Sequence, residues 1–333
     1  MQHLFLPLQT VNCFISKSLV LKIIKSFFTL IRWPNLLFVL LTQVMFEYFI
    51  VKPLFHEAHL NNVLNNFSFF LLTTSIIFIA AAGYAINDYF DLNIDLINKP
   101  QKLVVDKTIS RRWVILWHLI FSFLGIAIGF YIDFTTRTMF IGLFNAISVF
   151  LLFIYSASLK KKFLIGNVLV SLITAWAILI LWWAEQYYFL TYQIYAGLDV
   201  HKLFRFSFLY AGFAFIISLI REVIKDMEDV EGDRRYGCKT MPIVWGLNST
   251  KIFTLVWIVV LAAVLLLLQV YVVFIGWWIT ALYGFFFITL PLLQVFRKLL
   301  VARTSNDFHA LSTLVKIIMF TGIVSMIFFW KPI

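Results

Sequence analysis

The chain has 333 residues, of which 62% are hydrophobic and only 13% charged, and its mean hydropathy is +0.94. That composition excludes a soluble globular domain of ordinary make-up, because uncharged windows reach the roughly 20 residues needed to cross a hydrocarbon core. The net charge of +11 is not a nucleic-acid signal, since the basic residues lie between the apolar runs rather than on one polar face, and no nucleic-acid partner is expected.

Residues 1–24 open MQHLFLPLQTVNCFISKS, without a basic n-region or a small-residue cleavage site. They read as a retained N-terminal interfacial segment rather than a signal peptide. Residues 25–333 read as one intramembrane domain. Nine spans are predicted near 33–51, 67–88, 113–132, 138–157, 163–184, 204–224, 252–272, 275–296 and 311–330. Backbone groups in lipid must be satisfied within the segment, so the spans are expected to be helices. The runs are too long and continuous for the alternating strands of a barrel. The stretch from Ile252 to Phe296 holds no charge and fits two spans, with Gly276 as the turn between them. The expected fold is an all-α polytopic bundle of nine transmembrane helices. The two cysteines, Cys13 and Cys238, fit no metal or disulfide framework.

Lysine and arginine set the expected orientation. With the N-terminus inside, 22 of the 27 basic residues fall on the inner side and 5 on the outer, the positive-inside pattern. Lys316 is counted with the inner group. The C-terminus is then outside, in a bacterial or archaeal-type cell membrane.

Two acidic clusters share one spacing. Asp88, Asp91 and Asp95 stand in NDYFDLNID, and Asp226, Asp229 and Asp233 in KDMEDVEGD. Offsets of 0, 3 and 7 fall within about 60° of one another around a helix. One cluster ends span 2 and the other ends span 6, both on the inner side. That equivalence suggests a parallel internal repeat of spans 1–4 and 5–8. Carboxylates so close repel one another unless a divalent cation supplies the opposing charge. Mg²⁺ takes one or two carboxylates, waters and phosphate oxygens, so two facing clusters suit Mg²⁺ ions with a diphosphate between them. Lys99, Lys102, Lys160 and Arg221 are placed to add contacts to the phosphates. Asn87 can ligand a metal or cap a helix. Glu228 and Glu231 fall off the shared face and read as solvated. Gly232 and Gly237 let the loop turn close to the phosphates.

These motifs resemble those of the UbiA-type intramembrane prenyltransferases. The family's N-D-x-x-D-x-x-x-D is matched by Asn87, Asp88, Asp91 and Asp95, and its K-D-x-x-D-x-x-G-D by Lys225, Asp226, Asp229, Gly232 and Asp233. A following G-x-x-T-x-P is matched by Gly237, Thr240 and Pro242. An early R-x-x-N is matched by Arg32 and Asn35, and a Y-S-x-x-L-K by Tyr155, Ser156, Leu159 and Lys160. The resemblance implies that the six aspartates are catalytic and, with Asn87, hold metal. It implies that Arg32, Asn35, Asn87, Lys102, Tyr155, Lys160 and Lys225 bind substrate, and the neighbouring charges of Lys99 and Arg221 add them to the substrate-binding set. The chain departs from the family after the first motif, where it reads QKLVVDKTIS. Lys102 stands for the usual arginine, losing bidentate geometry, and Asp106 stands for a common glycine.

The implied reaction is Mg²⁺-dependent transfer of an isoprenyl group from a polyprenyl diphosphate, geranylgeranyl diphosphate in the first instance, through an allylic carbocation kept from water. The run REVIKDMEDVEGDRRYGCKTMPI resembles the geranylgeranylglyceryl-phosphate geranylgeranyltransferases, so the lead acceptor is geranylgeranylglyceryl phosphate. Lys161, Lys162, Arg234 and Arg235 are available to its phosphate or serve as topology signals. An aromatic quinone precursor, 4-hydroxybenzoate or 1,4-dihydroxy-2-naphthoate, is the alternative acceptor. A transporter or channel would need acids along a path through both leaflets, and the acids cluster on one side. Aromatics make up 19% of the chain, chiefly for lipid contact and packing, with Tyr155 placed to line the site. His118, in mid-span, reads as a packing or hydrogen-bonding residue.

Overall fold

A computed structural model describes residues 20–98, 100–101, 103–192 and 200–330; side chains at 187–192 and 200 are not described. The predictions made for residues 1–19, Cys13, Lys99 and Lys102 lie outside the described residues. Among the described residues the fold is helical, with one isolated bridge between Val105 and Ile109.

Helix α1 covers residues 20–30. Residues 20–24, the described end of the predicted interfacial segment, lie within this helix. Val20, Leu21, Ile23, Ile24 and Phe28 are exposed while Leu30 is buried, so the helix is apolar well beyond its packed face. Nine longer helices follow. They are α2 (Trp33–Glu57), α3 (Asn66–Asn98), α4 (Arg111–Thr136), α5 (Ile141–Ala157), α6 (Ile165–Tyr192), α7 (Val200–Glu228), α8 (Leu247–Phe274), α9 (Trp278–Val301) and α10 (Ser305–Val324). Eight of them carry apolar spans of 22–33 residues; α5, at 17, is at the lower limit for crossing a bilayer. The nine predicted spans each find their helix. Several helices run past the predicted limits, and α3 carries the whole first acidic cluster to Asn98.

The helices begin and end where local chemistry dictates. Arg32 takes a left-handed φ of 50° before α2, and Pro34 occupies its first turn. Gly276, at φ 86°, makes the turn between α8 and α9. Thr304 and Asp307 form a reciprocal capping box at the start of α10. Within the spans, Thr42, Ser171, Ser207 and Thr254 return their hydroxyls to carbonyls one turn back, which satisfies polar groups that lipid cannot.

α3 packs on α4 and α5, α6 on α7, and α7 on α8 and α10. α2 closes the ring by touching α3, α6 and α10. One core cluster holds Phe46, Ile50, Leu72, Ile132 and Leu181, and a second holds Ile220, Leu261, Leu292 and Val315. Outward side chains remain bare, among them Phe134 at 85% and Phe274 at 84% exposure, as a lipid-facing surface requires. The bundle is an integral membrane protein by length and composition of its helices.

Candidate active site

The ring encloses a cavity of about 870 Å³, within the range of small-molecule sites. Its described lining comes from α2, α3, α5, α6, α7 and α10 and the loops beside them, with α4, α8 and α9 standing behind. All six aspartates of the two clusters line it. Beyond them the walls turn apolar through Ile79, Leu152, Ile178, Phe213 and Met326. A charged end and a greasy depth thus belong to one chamber.

The clusters meet through Asn98, the last residue of α3. Its amide Nδ2 donates to the Asp229 carbonyl at 3.2 Å, and its Oδ1 accepts from Gly232 N at 2.9 Å. A Cβ at residue 232 would lie 2.4 Å from Asn98 Oδ1, which is why glycine is needed there. The glycine serves this close approach between motifs rather than a turn toward phosphate. Gly237, at φ 68°, is the residue that turns.

The second cluster departs from the predicted single helix. α7 ends at Glu228, Asp229 stands at the N-terminal boundary of a short helix Val230–Arg235 without a side-chain capping bond, and only Asp226 remains on α7. Seven residues lie between the break at Asp229 and Gly237, and Asp233 among them lines the cavity. Glu228 is also not solvated as expected: its side chain is 9% exposed and its Oε1 lies 2.9 Å from His309 Nδ1. Glu231 is exposed, pairing with Arg235.

Protein cations already hold the first cluster. Arg32 Nη2 donates to Asp88 Oδ1 at 2.6 Å, and Lys160 Nζ lies 2.5 Å from Asp91 Oδ1. Asn87 sits in mid-helix, so it is no cap; it donates to Asp91 Oδ2 at 2.7 Å and accepts from Lys160 at 3.2 Å. Burial holds the Lys160 ammonium below its ordinary value, against the pull of Asp91. In the second cluster Asn167 Nδ2 donates to Asp226 Oδ2 at 2.8 Å. Glu222 binds both Lys225 at 2.8 Å and Arg221 at 3.2 Å. Tyr155 lines the cavity, and Asn35 accepts from Lys316 Nζ at 3.0 Å.

Among the described residues no three His, Cys, Asp or Glu side chains converge closely enough to hold a metal ion by themselves. That donor set fits Mg²⁺ in particular, which keeps waters and phosphate oxygens and needs only one or two carboxylates. Any of the six aspartates can supply those oxygens to an ion that arrives with a diphosphate.

Sequence reasoning placed thirteen of the fifteen candidate residues where the structure can describe them, and all thirteen line this cavity. It passed over Asn98, Asn167, Glu222 and Lys316. Lys316 was counted as an inner-side topology charge, yet it is inside the span of α10 and faces the cavity; a lone lysine in an apolar helix was the available signal. Of the four basic residues considered for an acceptor phosphate, Lys161 lines the cavity, while Lys162, Arg234 and Arg235 are exposed away from it. His118 packs as expected, its Nδ1 3.1 Å from the Ala82 carbonyl. Asp106 adopts φ 59°, the left-handed backbone for which the family's glycine is suited, and pairs with Arg111 at 2.6 Å.

The chain is similar to known proteins in sequence and in fold. A digeranylgeranylglyceryl phosphate synthase of Methanothermobacter thermautotrophicus is 32% identical over 192 residues, covering 57% of this chain and 61% of that protein. One from Methanosphaera stadtmanae is 28% identical over 258 residues, covering 77% and 85%. The chain thus spans about six-tenths of the length of the first of these relatives. Among solved structures, a UbiA homologue from Aeropyrum pernix superposes with a TM-score of 0.58 at 17% identity, covering 91% of this chain and 98% of that one. A UbiA homologue from Archaeoglobus fulgidus, solved with GPP and Mg²⁺, gives 0.53 at 17% identity over 90% and 99%. At those identities the superpositions speak for the fold alone. Membership rests on the sequence profile of the UbiA prenyltransferase family, which matches residues 54–323. The chain belongs to the UbiA prenyltransferase family.

Proposed function

We propose that this protein transfers a prenyl group, geranylgeranyl in the first instance, from its diphosphate to the hydroxyl of a lipid acceptor, with geranylgeranylglyceryl phosphate as the lead acceptor. The observation that carries the reading is the single chamber in which two aspartate clusters from different helices face an apolar depth. A diphosphate wants charge and an isoprenoid wants grease, and only such a boundary supplies both. The relatives named digeranylgeranylglyceryl phosphate synthase support the acceptor.

In this reading Asp88, Asp91, Asp95, Asp226, Asp229 and Asp233, with Asn87, hold Mg²⁺, which when bound neutralises charge growing on the leaving diphosphate. Arg32 and Lys160 exchange their carboxylate partners for phosphate oxygens of the donor, joined by Lys225, while Arg221 is available to a substrate phosphate. Lys99 and Lys102 remain assigned to the phosphates. The allylic C–O bond breaks with its electron pair going to the diphosphate. The acceptor oxygen then bonds to that carbon and loses its proton. Tyr155 and the apolar walls keep water from the cation. Residues 25–333 act as one intramembrane domain, with the site and N-terminus on the cytoplasmic side of the cell membrane and the C-terminus outside. The basic residues support this side even when the six that line the cavity are set aside.

The test is purified protein with labelled geranylgeranyl diphosphate and a panel of acceptors. Label is expected in geranylgeranylglyceryl phosphate. Label appearing instead in 4-hydroxybenzoate or 1,4-dihydroxy-2-naphthoate would overturn the acceptor.

A further inference from the structure

Lys316 is the twelfth residue of α10, between the fully buried Val315 and the buried Ile318. A charge at that depth is costly and marks function by default. Its ammonium lines the cavity, donates to Asn35 Oδ1 at 3.0 Å and stands 5.0 Å over the Phe38 ring. Among the described residues it pairs with no carboxylate. Arg221, on the neighbouring helix α7, is its cationic neighbour. The Arg221 Nε is buried with no hydrogen-bond partner, and its Nη1 shares Glu222 with Lys225. On this wall Arg221 and Lys225 share Glu222, and that carboxylate makes no contact with Lys316 among the described residues. By contrast Arg32 and Lys160 are matched by Asp88 and Asp91.

The two walls are offset. Tyr84 lies four residues before Asp88 on α3, one turn or about 6 Å further into the membrane. Arg32 stacks 5.2 Å over its ring and Asn35 is beside its hydroxyl. Lys316, held by Asn35, therefore stands about one turn beyond the aspartates. We propose that Lys316 and Arg221, with Asn35 orienting the lysine, form a second anion subsite that binds the phosphomonoester of the acceptor without metal. The inference rests on the acceptor reading above. In a glyceryl phosphate the phosphorus and the free hydroxyl are four bonds apart, about 5 Å. An acceptor anchored here presents its hydroxyl toward the allylic carbon of a donor held at the aspartates, while the two phosphate groups stay apart. Metal at the aspartates serves the donor; the cation-rich wall has no carboxylate excess to attract a metal of its own.

The test compares wild type, Lys316→Met and Lys316→Arg in the full-length protein. Equilibrium binding of geranylgeranylglyceryl phosphate is measured in EDTA without donor, and KM values for donor and acceptor with Mg²⁺. Binding in EDTA is expected for wild type. Lys316→Met should weaken it about 10- to 100-fold, the loss of one charge-assisted bond, and raise the acceptor KM in parallel. The donor KM should hold within about twofold, which also reports a folded site, and Lys316→Arg should recover most of the loss. Unchanged acceptor binding in Lys316→Met, or an equal rise in donor KM, would overturn the subsite. If wild type binds and prenylates only 4-hydroxybenzoate, and Lys316→Met weakens that carboxylate, the subsite stands and the phospholipid acceptor falls.

Discussion

Asp91 is held by two hydrogen-bonding groups, Lys160 at 2.5 Å and Asn87 at 2.7 Å, so its carboxylate is already aimed when a cation arrives. Replacing it by alanine removes a carboxylate proposed to hold Mg²⁺ and takes from the buried Lys160 its nearest counter-charge. Asp91→Ala should cut Mg²⁺-dependent diphosphate release at least about a hundredfold while the protein still inserts in the membrane. Undiminished release would remove Asp91 from the site. Cys238 tests the same neighbourhood by pH. Burial first, and Asp233 second, push its thiol up to about 11. A raised thiol value means the neutral form dominates near pH 7, and the thiolate fraction grows tenfold per pH unit until about 11. In a Cys13→Ser background, alkylation of Cys238 should be about a hundredfold slower at pH 8 than for an ordinary cysteine, and still climbing at pH 10. A rate that levels off below pH 9 would contradict that environment.

Two contacts decide how elements are held. Asn98 is the strut between the end of α3 and the broken end of α7. Asn98→Ala loses both bonds and leaves Gly232 N–H without its acceptor, at about 1–3 kcal/mol. Its effect on kcat should exceed its effect on melting temperature, because the strut sets the distance between the two aspartate groups rather than the packing of the bundle. At the other end of the bundle the fully buried Glu185 of α6 accepts from Val63 N at 2.8 Å and Leu64 N at 3.1 Å. It fastens the loop before α3. Glu185→Ala should lower stability by about 2–5 kcal/mol in thermal unfolding, with the aspartate site unchanged; an unshifted melting curve would show that the loop needs no anchor. Much of this level was readable beforehand. Long uncharged runs define the spans, and the doubled spacing of the aspartates marks the site. The break at Asp229 was not, because 0-3-7 spacing fits an unbroken helix, and the contacts made at the break come from Asn98 and Ser305, both distant in sequence. Lys316 already fell within the predicted span 311–330, yet the charge tally counted it only by side of the membrane; what the structure adds is that it lines the cavity.

At the scale of the whole molecule, six of the nine long helices surround one chamber and three brace them from outside. The charged mouth and apolar depth are properties of the assembly, since no single helix carries both a complete metal site and a wall for the chain. In the proposed function both clusters contribute to one binding event. The most direct measurement is equilibrium binding of labelled geranylgeranyl diphosphate to the purified protein, with Mg²⁺ and with EDTA, for wild type, Asp91→Asn and Asp229→Asn. The account predicts tight binding by wild type only with Mg²⁺, and a loss of about tenfold or more in each variant. Metal-independent binding, or wild-type affinity in either variant, would contradict a diphosphate gripped by both clusters.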